Sequence, residues 1–71
     1  MTMRYWKKLS SSAPDGVSAL FRKNMGTGAV ERYAGKGSWV NAFDRWESIV
    51  MEPDYVEIDE KEAKTLMTEF E

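Results

Sequence analysis

The hydrophobic period of this chain changes once, after Val40, and that single change limits what it can fold into. Before it, apolar and polar residues alternate in short runs separated by turn-forming clusters, the period-two signature of half-buried strands. Residues 3–9, with Tyr5, Trp6 and Leu9 among bases, predict a first strand, closed by the loop-forming run Ser10-Ser11-Ser12-Ala13-Pro14-Asp15-Gly16. Val17, Ala19 and Phe21 alternate with Ser18, Leu20 and Arg22 as a second strand, ending at Asn24-Met25-Gly26-Thr27-Gly28. Ala29 to Tyr33 resumes the strand pattern. Ala34-Gly35-Lys36-Gly37-Ser38 breaks it before Trp39-Val40, which closes a further short hairpin or leads onward. Residues 3–40 therefore predict an antiparallel meander.

Beyond Val40 the period is about 3.6. Asn41 is placed as an N-cap, and Ala42, Phe43, Trp46, Ile49 and Val50 share one face of a helix over 42–51, opposite Asp44, Arg45, Glu47 and Ser48. Pro53 stops it, because the residue before a proline avoids the helical region. Tyr55-Val56-Glu57-Ile58 is short and alternating, and predicts an edge strand or an extended connector over 55–58. Asp59-Glu60-Lys61-Glu62 then has the form of a capping box, with Ile58 and Ala63 at the positions of a hydrophobic staple. Ala63, Leu66, Met67 and Phe70 keep one face of a last helix over 60–70.

Neither an amphipathic helix nor a sheet with one apolar face is stable by itself, so these elements must bury their faces together. The expectation is one α+β domain over 1–71: a three-stranded or four-stranded antiparallel sheet covered on one face by two helices. With 71 residues, such a core supplies only about 3–5 kcal/mol of net stability without staples. The chain has no cysteine and no histidine, so disulfides and thiolate or imidazole metal sites are excluded. Its three tryptophans, three tyrosines and three phenylalanines, or dimerisation through a sheet edge, must compensate.

The same two absences remove cysteine nucleophiles and serine–histidine triads. The glycines do not restore a nucleotide site. Glu31 stands where a dinucleotide fingerprint needs its third glycine, and Gly35-Lys36 is followed by Gly37 in place of Ser or Thr, with Val30 where a P-loop begins. The acidic run Glu57 to Glu62 lacks the order of a calcium loop and reads as a negatively charged first helical turn. The expectation is a protein that is not an enzyme, with no cofactor and no metal.

Charge is the remaining signal. The net −2 divides at Gly37 into seven bases against two acids (+5) before it, and three against ten (−7) from it onward. Two candidate binding faces follow. An unidentified protein partner is the leading expectation, met by an acidic helical surface of Glu47, Glu52, Asp54, Glu57 and Glu60, or by a free sheet edge. Nucleic acid is second, met by Arg4, Trp6, Lys7, Lys8, Arg22, Lys23 and Arg32, if bases stack on exposed aromatics while cations meet phosphates. No signal-peptide pattern and no apolar run of membrane-spanning length is present, which makes a cytoplasmic protein with no membrane role the expectation.

The ordered string Arg4-Tyr5-Trp6, Leu20-Phe21-Arg22, Glu31-Arg32-Tyr33, Gly37-Ser38-Trp39-Val40, Trp46 and Ile58-Asp59-Glu60-Lys61-Glu62-Ala63 resembles a loose group of short bacterial and phage α+β proteins that carry no assigned activity. The resemblance covers most of the chain. Ser38 in the turn and Asp59, where the group often has Thr or Ser as cap, depart from it. It implies the order of elements, and no site residue comes with it.

Overall fold

The computed structural model describes residues 2–13 and 16–70. Pro14 and Asp15, from the loop-forming run after the first strand, lie outside them. Five strands form one antiparallel sheet: β1 (Met3–Leu9), β2 (Val17–Asn24), β3 (Val30–Gly35), β4 (Ser38–Asn41) and β5 (Tyr55–Ile58), in the order β4-β3-β2-β1-β5. The first four make the expected meander. A 3₁₀ turn (Phe43–Arg45) and a short helix α1 (Trp46–Met51) then carry the chain from the β4 edge to the far edge, where β5 pairs with β1. Helix α2 (Glu60–Glu69) ends the fold.

Two expectations are corrected here. The sheet has five strands, not three or four, because Trp39-Val40 lies in a true hairpin strand and Tyr55–Ile58 completes the open edge of β1. The helices do not share a face. Trp6, Phe21, Val30 and Tyr55 pack with Ala42 and Ile49, and with the half-buried Trp46, on one side of the sheet. Leu20 and Tyr33 pack with Ala63 and Leu66 of α2, joined by Tyr5, Trp39, Ile58, Met67 and Phe70, on the other. The cause is visible in the adjacent pairs Tyr5-Trp6 and Leu20-Phe21. Side chains of successive strand residues point to opposite faces, so two large apolar neighbours give each face a core to cover.

A bulge adjusts the alternation. Lys8 pairs with Ala19 but Leu9 pairs with Val17, which leaves Ser18 as the extra residue in β2. Val17 consequently joins Leu20 on the α2 side instead of sharing a face with Ala19 and Phe21. The β3–β4 turn is equally specific. Lys36 (φ 54°) and Gly37 (φ 76°) both take positive φ, the pair a type I′ hairpin turn requires, and the Gly37 amide donates to the Tyr33 hydroxyl at 2.8 Å.

At the second helix, the Asp59 carboxylate accepts from the Glu62 amide at 2.8 Å, as the capping pattern predicts. Glu62 does not need to complete the box, because its carboxylate is bound by the Lys7 ammonium at 2.5 Å. At α1 the helix is shorter than expected. Asn41 is the last residue of β4, and its side chain accepts from the Phe43 amide at 3.0 Å. With under two turns of α-helix, only Ala42, Trp46 and Ile49 are seated on the sheet, while Phe43 and Val50 stay outside.

Candidate protein-interaction surface

Strand register decides where the basic residues go. The pairs Trp6–Phe21–Arg32, Arg4–Lys23 and Lys8–Ala19 fall on the α1 side, whereas Tyr5–Arg22–Glu31 and Lys7–Leu20 fall on the α2 side. The candidate nucleic-acid residues are thus split between two faces. Most of their charge is also met within the fold. Arg4 bonds Glu57 through both Nε (2.6 Å) and Nη2 (2.5 Å). Lys7 is bound to Glu62, and Arg22 Nε donates to Glu31 at 2.9 Å with its guanidinium 4.1 Å from the Trp39 ring centre. Lys23 sits 4.0 Å over Trp46, and Lys8 lies 5.6 Å from Tyr55, within cation–π range. Arg32 is exposed, with no ion pair or ring contact among the described residues.

The aromatic half of that reading fails geometrically. Trp6 is 8% exposed, Phe21 2% and Tyr33 5%. They fill the two cores, and a ring held between sheet and helix offers no face on which a base can stack.

The acids divide differently. Glu57 is taken by Arg4, which holds its carboxyl below the ordinary glutamate range, chiefly through the hydrogen bonds, against an opposing effect of burial and with a lesser contribution from the charge of Arg4. Glu60 pairs with Lys64 one turn on, at 3.2 Å. Glu47, Glu52 and Asp54 have no ion pair among the described residues, and neither does Asp44. All four lie in residues 43–54, the stretch that crosses the sheet. Of the five acids expected to form one face, two are engaged in internal pairs, and Glu47, Glu52 and Asp54 are exposed within this stretch.

The same stretch carries a feature the sequence reading missed. Phe43 is 60% exposed, Val50 56% and Met51 76%. Phe43 and Val50 were expected in the core. Their signal is the adjacent pair Val50-Met51, which makes so short a helix apolar on more sides than one contact can bury. Phe43 lies in the 3₁₀ turn and Val50 and Met51 end α1, whereas the less exposed Leu9, Met25, Val40 and Val56 are spread over the strands and the β2–β3 turn.

An open cleft of about 700 Å³ lies beside Lys8, Ser10, Ser11, Ser18 and Asp54 at the end of the β1–β2 hairpin. Part of its polar lining is already engaged: the Ser18 hydroxyl donates to the Lys8 carbonyl at 3.4 Å, and Ser10 shares a hydrogen bond with Ser12 at 2.8 Å. Among the described residues of its lining Asp54 is the one carboxylate, so they do not present paired acid and base groups. No three His, Cys, Asp or Glu side chains gather as a metal site among the described residues. No helix among them is long and apolar enough to cross a membrane.

The chain matches no protein-family model, no curated protein and no solved structure. What can be said of its function rests on its own surface.

Proposed function

We propose that this is a small non-enzymatic protein-binding domain whose docking element is the crossing segment, residues 43–54. One observation carries the reading: the exposed Phe43, Val50 and Met51 share this segment with Asp44, Glu47, Glu52 and Asp54, acids that form no ion pair among the described residues. Apolar side chains at both ends of the segment, with acids between and beside them, supply the apolar contacts and the polar surroundings that a protein interface combines. The sheet edges support it less, because β4 and β5 are only four residues each, the short form in which native proteins keep edges from pairing. The basic sheet supports nucleic acid less still, since its aromatics are buried and its cations largely engaged.

The test compares the wild-type chain with Val50→Ser/Met51→Ser as bait in extract of the source cell, after amide NMR has shown that both are folded. A protein retained by the first and lost from the second is the expected result. Partners held equally by both would remove the crossing segment as the docking element.

A further inference from the structure

The two charged halves of the sequence do not cancel evenly in space. Arg4 and Lys7 of the first half are matched to Glu57 and Glu62 of the second, and Arg22 to Glu31 beside it. Lys8 and Lys23 lie against Tyr55 and Trp46. Pairing across β1, β5 and α2 thus uses sheet cations, while the crossing segment's own residues are four acids against Arg45, −3 by sequence, with the Lys23 ammonium of β2 lying over its Trp46. From Phe43 to Met51 the segment is about 13 Å long, and its exposed apolar side chains stand at both ends.

We infer that the partner of this surface is a cationic amphipathic segment of another protein, with apolar side chains meeting Phe43, Val50 and Met51 and Lys or Arg meeting Asp44, Glu47 and Glu52. The inference rests on the proposed protein-binding role and adds the chemistry of the occupant. A second copy of the chain fits worse, since an isologous contact through this segment brings the same acids together. Nucleic acid and an anionic lipid surface are repelled by them. A neutral apolar partner leaves the unmatched carboxylates at its rim without counter-ions, whereas a cationic one gains both steering and register from them.

Three peptides of equal length serve as probes in amide NMR titrations of the full chain: one of Leu and Lys, one of Leu and Glu, and one of Ser and Lys. The Leu/Lys peptide is expected to shift the amides of residues 43–54, and the other two to leave them in place. Glu47→Gln/Glu52→Gln, exposed positions that keep the fold, should weaken Leu/Lys binding by roughly tenfold, and raising salt from about 50 to about 500 mM should act in the same direction. Equal binding of the Leu/Glu peptide at 43–54, or an undiminished affinity in the Gln variant, overturns the cationic partner but leaves the docking element standing. Leu/Lys binding that Val50→Ser/Met51→Ser does not weaken, or that maps outside 43–54, overturns both.

Discussion

Arg4 on β1 and Glu57 on β5 are joined by a two-pronged contact, Nε to Oε2 at 2.6 Å and Nη2 to Oε1 at 2.5 Å, between residues 53 positions apart in the chain. The fork of the guanidinium matches both carboxylate oxygens, a geometry Lys cannot reproduce. It fastens the last strand to the first on the α1 side, while Lys7 and Glu62 fasten α2 to the same strand on the other.

This contact predicts a pH dependence. Glu57 is held below its ordinary value by its hydrogen bonds to Arg4, so as pH falls past the unfolded glutamate value of about 4.3 the unfolded chain takes up the proton first. The contribution is complete above that value and is lost as pH falls through the lower folded one. Glu57→Gln should flatten that part of the curve of urea midpoint against pH. An unchanged slope would mean the pair contributes nothing in solution.

Leu20 has no exposed surface and sits under α2. Leu20→Ala should cost about 2–5 kcal/mol through lost burial and a residual cavity. That compares with the total stability of about 3–5 kcal/mol available to a core of this size, so the variant should be largely unfolded by circular dichroism at room temperature. Val50→Ala, on the exposed crossing segment, should change stability by less than about 0.5 kcal/mol.

Asp59 caps α2 and Glu62 is bound to Lys7, which separates two roles that a capping box would merge. Asp59→Ala should cost about 1 kcal/mol. Glu62→Gln removes a half-exposed ion pair and leaves the cap intact, so it should cost less than about 1 kcal/mol in urea titrations.

Lys36 occupies the left-handed region at φ 54°, where a side chain other than Gly, Asn or Asp is strained. Lys36→Asn should raise the midpoint of thermal unfolding, by up to about 1 kcal/mol in stability. Gly37→Ala, at φ 76° with open space around its Cα, should lower it by about 1 kcal/mol or more, a loss due to backbone strain alone.

Local signals in the sequence were readable where one residue type has one physical use. Asp59 before an apolar 3.6-residue stripe marks a helix start, and Lys36-Gly37 between two strands marks a tight turn. Placement across the sheet was harder. Trp6 and Tyr5 each fit a strand, but only their adjacency says that both faces need a cover, and the bulge at Ser18 turns Val17 with no glycine at the extra residue itself. The interaction surface was half legible. Charge alone pointed to Glu47, Glu52 and Asp54, yet period alone placed Phe43 and Val50 inside, because a periodic stripe does not reveal how few turns the chain will spend on the helix. Glu57 and Glu60 stay exposed but are engaged by partners 53 and four residues away.

The strand order β4-β3-β2-β1-β5 also sets a timetable for the newborn chain. β1 emerges first and gains β2 early, but its other edge stays open until residues 55–58 arrive from the far side of the sheet. During that interval a complete meander displays a full-length unpaired edge with Trp6 and Tyr5 still uncovered on its faces, the condition in which strands from neighbouring chains pair with one another. β5 and the segment that delivers it act as a late closure, so removing the residues after Asn41 should yield an aggregation-prone fragment rather than a smaller folded unit.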